Sequence, residues 1–143
     1  MYRLYIRKNI SSKELLKEVL EKYHINYDIF YNEYGKPYLK NNELYFNISH
    51  SGEYTVLVIS KEEIGVDIQE IKPYLHLVDR VCTVNEQNLI KTPEDFTKMW
   101  VKKESYVKKI GRGVDYGLRN VDTTTIVNYD IYRIENYYIA VCY

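Results

Sequence analysis

Apolar positions along this chain follow two periods, strand-like alternation and helical recurrence, and each period appears in both halves of the sequence. Residues 2–6 read as a short strand. Ser11 or Ser12 can then cap a helix in which Leu15, Leu16, Val19, Leu20 and Tyr23 recur at helical spacing. A turn at Ile25-Asn26 leads into residues 27–32, which alternate as a strand does, and Gly35-Lys36-Pro37 breaks the chain with turn chemistry. From 43 to 71 the texture is β. Residues 44–48, 54–60 and 64–68 are rich in branched and aromatic side chains, separated by Ser-Gly-Glu and Lys-Glu-Glu turns.

Pro73 marks a boundary, after which residues 75–81 and 86–90 are expected as short helical turns. A long helix is expected over Pro93–Ile110, opened by proline and the acids Glu94 and Asp95. Its end is signalled by Gly111 and Gly113, with Lys108, Lys109 and Arg112 where the helix dipole favours cations. Residues 118–143 alternate like two or three strands. The pattern predicts an α+β fold with helices on antiparallel sheet, as one domain over 1–143 built from two strand-helix-strand halves at about 1–60 and 61–143.

Composition narrows the functions open to such a domain. At 143 residues the chain can bury about 70% of its unfolded surface, enough for a real core. Twenty basic and twenty acidic side chains leave no net charge, which argues against a non-specific nucleic-acid binder. No apolar run approaches the ~20 residues of a membrane span, and the N-terminus lacks the apolar core of a signal peptide. Cys82 and Cys142 are too few for a disulfide framework and read as reduced thiols of a cytoplasmic protein. The 17 tyrosines are spread along the whole chain, as a compositional bias would leave them.

Several polar residues interrupt this apolar pattern. Asp67 and Gln69 lie two apart in a strand and share a face, while Val66 and Ile68 point the other way into packing. A carboxylate so flanked is either at a solvated strand end, or paired, or a metal ligand. Trp100, Glu104 and Lys108 fall on one helical stripe. The pair Glu104 and Lys108 is either a surface contact or, beside the only tryptophan, the edge of a cleft.

If Asp67 and Glu104 meet across a strand–helix contact they make a hard oxygen site suited to magnesium with substrate phosphates. Gln69 could add an amide oxygen or hold a metal-bound water, Lys108 would neutralise phosphate charge, and Glu104 could take a proton from an attacking hydroxyl. Ser49 and His50 are strand neighbours on opposite faces, so they form no nucleophile–base pair. His50, expected in a turn after its strand, reads as either a phosphate contact or a structural histidine. Lys36 is a further candidate phosphate contact. Glu86 is expected at the surface, and Lys102 and Lys109 on a solvated face.

In sequence order, Gly35-Lys36-Pro37, Asn47-Ile48-Ser49-His50-Ser51, Gly65-Val66-Asp67-Ile68-Gln69 and the run from Trp100 to Lys108 resemble the 4'-phosphopantetheinyl transferases. The likeness covers roughly residues 34–118, with residues 138–142 similar to a late strand, and is closer to the surfactin-synthetase-activating class than to the short holo-acyl-carrier-protein synthases. The resemblance implies transfer of the 4'-phosphopantetheine arm of coenzyme A to a serine of an acyl or peptidyl carrier protein. It implies magnesium (or manganese) at Asp67, Glu104 and Gln69, with Glu104 and Lys108 catalytic. Coenzyme A would be contacted by Lys36, Ser49, His50 and Lys108, and an acidic carrier helix by Lys109, Arg112 and Arg119.

Two departures accompany it. Gln69 stands where members often carry Glu, and the chain is short, without a dense basic cluster near its start. The alternative is a non-catalytic module that binds coenzyme A or a carrier protein. Partners are expected to be these two, with neither nucleic acid nor membrane, in a monomer or homodimer.

Overall fold

The computed structural model describes residues 1–40, 43–113 and 117–143. Strand β1 (Tyr2–Lys8) precedes helix α1 (Ser12–Lys22), a small ribbon of β2 (Ile29–Tyr31) and β3 (Pro37–Leu39), and the hairpin β4 (Tyr45–Ser51) and β5 (Tyr54–Ser60). Next come β6 (Gly65–Glu70), the short helices α2 (Val78–Val81) and α3 (Val84–Gln87), the long α4 (Pro93–Ile110), and the hairpin β7 (Tyr129–Ile134) and β8 (Tyr137–Cys142). Two antiparallel three-stranded sheets result, with orders β1-β5-β4 and β6-β8-β7. The molecule is therefore mixed α and β with antiparallel sheets and one long helix. Among the described residues no helix is long and apolar enough to cross a membrane.

Side-chain alternation stacks these elements. On one face of the first sheet, Phe46, Leu57 and Ile59 pack against Leu15, Leu16, Val19 and Leu20 of α1. On the other, Tyr54, Val56 and Val58 meet Val66, Ile68, Ile139 and Val141 of the second sheet. Strand β5 is covered on both faces and all seven of its residues are buried. The far face of the second sheet receives α4, where Val101 packs on Tyr138 and Ala140. Because period two sends Val66 and Ile68 toward the first sheet, Gly65 and Asp67 turn toward α4. A Cβ on Gly65 would lie 1.9 Å from the Ser105 carbonyl oxygen, so only glycine admits the helix this close.

Where β6 runs beside β4, side chains replace a main-chain ladder. The N–H groups of Val66, Ile68 and Glu70 donate to Asn47 Oδ1 (2.9 Å), Ser49 Oγ (3.2 Å) and Ser51 Oγ (3.3 Å). Residues two apart on one strand thus serve residues two apart on the other, and an edge strand's unpaired donors are satisfied.

Helix α4 keeps its expected bounds. Thr92 and Asp95 form a capping box, proline opens the first turn, and Gly111 closes the helix in a left-handed conformation with φ of 71°. Other expectations are corrected. His50 lies within β4, paired with Thr55, because the strand runs on through Ser51 and the turn is only Gly52-Glu53. The expected turn over 86–90 begins earlier, at Val84, where Thr83 caps α3. The segment after 118 opens with two 3-10 turns, Leu118–Asn120 and Thr123–Thr125, before its two strands.

Candidate active site

Asp67 stands at the contact between β6 and α4. Its Oδ1 accepts from Lys108 Nζ at 2.9 Å and from Ser49 Oγ at 3.0 Å. No donor is bonded to Oδ2 among the described residues. Burial pushes this carboxyl above its ordinary range, against the pull of Lys108 and the Ser49 hydroxyl. Lys108, projecting from the last turn of α4, keeps the carboxylate paired while its own side chain stays 31% exposed.

Glu104, one turn earlier on the same stripe, makes no hydrogen bond among the described residues. Burial raises its carboxyl, the neighbouring Asp67 charge raises it further, and Lys108 and Lys103 pull it down. Thus Lys108 spends its hydrogen bond on Asp67 across the strand–helix contact and not on Glu104. The outcome is two neighbouring carboxylates, one with a single engaged oxygen and one with none. Repulsion between such neighbours is relieved by a cation. Among the described residues no cluster of three or more Asp, Glu, His or Cys suits a metal. Two carboxylates match a hard ion such as magnesium, which completes its shell with water and substrate phosphates. They are too few for an all-protein calcium cage.

The remaining candidates occupy other places. Gln69, two residues along β6, donates from Nε2 to the Glu70 carbonyl at 3.3 Å. It borders a cavity of about 200 Å³ whose walls include Pro73, Leu77, Phe96 and Trp100. His50 is exposed on the opposite side of β4 from Ser49, at an open hollow shared with Asn9, Ser11 and Ser12 at the start of α1. Lys36 is buried. Its ammonium donates to Glu63 at 2.6 Å and to the carbonyls of Ile64 and Lys109 at 3.3 and 2.9 Å. Burial draws that ammonium below its usual value, opposed by Glu63. With Asn32 Nδ2 donating to the Gly111 carbonyl at 2.9 Å, Lys36 ties the β2–β3 ribbon to the end of α4.

Sequence reasoning missed one arrangement. Glu86, expected at the surface, is 1% exposed and pairs with fully buried Lys103 at 2.5 Å. Its carboxylate also accepts from the main-chain N–H groups of Thr83 and Thr123 and from the Thr123 hydroxyl. Lys103 donates in turn to the Val81 carbonyl. The pair joins α4 to the 81–87 segment and to the Thr123 turn. The capping-box spacing of Thr83 and Glu86 marks a local bond for the carboxylate but not its burial.

The family model of the 4'-phosphopantetheinyl transferase superfamily matches residues 63–141, which contain Asp67, Glu104 and Lys108. The chain is 36% identical over 92 residues to the 4'-phosphopantetheinyl transferase psf-1 of Bacillus pumilus, covering 59% of this chain and 40% of that protein. It is 33% identical over 126 residues to the transferase gsp of Aneurinibacillus migulanus, covering 77% and 53%. Against the transferase ffp of Bacillus subtilis it is 34% identical over 133 residues, covering 81% and 59%. The chain therefore spans about half the length of the relatives it matches.

Proposed function

The chain belongs to the 4'-phosphopantetheinyl transferase superfamily, and from that membership we propose that it transfers the 4'-phosphopantetheine arm of coenzyme A to a serine of an acyl or peptidyl carrier protein. The observation that carries the reading is the Lys108–Asp67 bond across the contact of β6 and α4, with Glu104 one turn earlier on the same stripe of the helix. Asp67 and Glu104 would hold a magnesium ion, with manganese as substitute, and Gln69 would reach a water of its shell. When bound, the ion would offset the charge of the coenzyme A diphosphate during displacement.

The chain's own groups supply the rest. Glu104 makes no hydrogen bond among the described residues, so an oxygen not engaged by the ion would accept the proton of the attacking serine hydroxyl. The serine oxygen bonds to the β-phosphorus, the bond from that phosphorus to the bridging oxygen breaks, and 3',5'-adenosine bisphosphate leaves with the electron pair. Lys108 favours the ionised form of Asp67 and adds positive charge beside the phosphates. His50, from its exposed place near the start of α1, contacts the nucleotide end. We also read the chain as two similar halves. Each runs strand, helix, hairpin, and in each sheet the last strand lies between the other two, which supports a duplicated plan.

The test is incubation with coenzyme A, magnesium and a panel of apo carrier proteins, read by mass spectrometry. A gain of one phosphopantetheine arm is expected, abolished in Asp67→Asn and reduced on the order of 10²-fold or more in Glu104→Gln. Absence of transfer to every carrier, from protein that unfolds cooperatively, would refute the activity. The alternative, a module that binds coenzyme A or a carrier without transfer, draws support from the amide at Gln69. Calorimetric binding of either partner without turnover would establish it.

A further inference from the structure

We propose that Ser49 is a positioning residue that acts through Asp67 and donates no hydrogen bond to the coenzyme A phosphates; this rests on the metal site proposed above. A serine hydroxyl has one proton and two lone pairs. The Ile68 N–H at 3.2 Å is a donor and must meet a lone pair. The Asp67 carboxylate at 3.0 Å accepts only, so it takes the proton. A phosphate oxygen likewise only accepts, and could gain this proton only by removing it from Asp67. Ser49 is also 6% exposed.

Its two neighbours in the row sharpen the assignment. Asn47 and Ser51 satisfy the N–H groups of Val66 and Glu70 in the same manner, yet neither is bonded to Asp67. Only Ser49 couples the strand junction to the carboxylate. With Ser49 and Lys108 both on Oδ1, the rotation of the Asp67 carboxylate is set and Oδ2 is presented without a protein donor. Partners that orient a metal ligand in this way typically carry about 10–100-fold in metal affinity.

The experiment measures binding of manganese by the loss of its free-ion paramagnetic resonance signal, with and without coenzyme A, and separately the rate of transfer against metal and coenzyme A. Ser49→Ala is expected to weaken manganese binding about 10–100-fold. Its KM for coenzyme A at saturating metal should equal that of the wild type. Ser49→Thr, which keeps the hydroxyl, is expected to restore metal affinity. Ser51→Ala, which removes an equivalent bond to β6, should leave metal affinity unchanged while lowering thermal stability. Unaltered metal affinity in Ser49→Ala, or a KM for coenzyme A that stays raised at saturating metal, overturns the proposal and leaves the metal site standing. A wild-type protein that binds no manganese even with coenzyme A overturns both.

Discussion

Replacing Lys103 by methionine keeps much of the side chain's volume and removes only its charge and donors. Both members of its pair with Glu86 are essentially fully buried, at 0% and 1% exposure. Removing one partner of such a pair costs about 3–5 kcal/mol, because the remaining charge stays out of water uncompensated. The Val81 carbonyl loses its Lys103 donor as well, an effect contained within that range. For a chain of this length roughly 3–4 °C of melting temperature accompanies each kcal/mol, so Lys103→Met should melt roughly 10–20 °C lower at neutral pH.

The pH dependence gives a second readout. Burial by itself raises the Glu86 carboxyl, but Lys103, Thr123 and the Thr83 N–H together outweigh it and hold the group below the usual range. A carboxyl depressed in the folded state stabilises fully above its unfolded value of about 4.3 and loses that contribution as pH falls through the folded value. In Lys103→Met the same carboxyl is raised and its penalty is relieved by protonation. The stability gap between wild type and variant should therefore narrow between pH 7 and pH 4 in urea unfolding. A loss under ~1 kcal/mol at pH 7, the range of an exposed pair, or a gap that widens on acidification, would refute the account of this pair.

Other substitutions probe the junctions around the site. Gly65→Ala places a Cβ 1.9 Å from Ser105 O and 2.5 Å from Lys109 N, main-chain atoms that yield only if α4 moves off β6. It should cost at least the ~1–3 kcal/mol of overpacking and weaken metal binding with it; stability like the wild type would sink the close-approach argument. Lys36→Met strips donors from Glu63 and two carbonyls and should destabilise the protein by about 1–3 kcal/mol without any ligand present. Urea unfolding of the ligand-free protein decides it, and an unchanged midpoint would remove the clamp. Glu86→Gln should flatten the acid limb of the stability profile below about pH 4, whereas a limb as steep as the wild type's would point to other carboxylates.

The parts of the fold legible in the sequence are those governed by local rules. Thr92, Pro93 and Asp95 at one end and Gly111 at the other delimit α4, since capping and left-handed closure depend on a few adjacent residues. The alternation of Val66 and Ile68 with Asp67 placed the carboxylate opposite a packed face, and the Trp100–Glu104–Lys108 stripe placed its candidate partners on one side of a helix. Ribbon strand β3 went unnoticed because three residues beginning with proline carry no period. Glu86 was misjudged because nothing local reports that a lysine 17 positions away will share its burial.

The motifs mark this limit. Residue types and spacing alone determined that β6 and α4 would each offer a carboxylate. Only the tertiary structure decided which partners those groups take. It bonded Lys108 to Asp67, left Glu104 without a hydrogen bond among the described residues, and turned the Asn47–Ser49–Ser51 row into a side-chain ladder for β6. It also sank the Lys36 ammonium among carbonyls at the end of α4. The physical reason is that periodicity is a property of one strand or helix, whereas hydrogen bonds and charge pairing depend on distances between elements. Those distances exist only once Gly65 lets α4 settle onto the sheet.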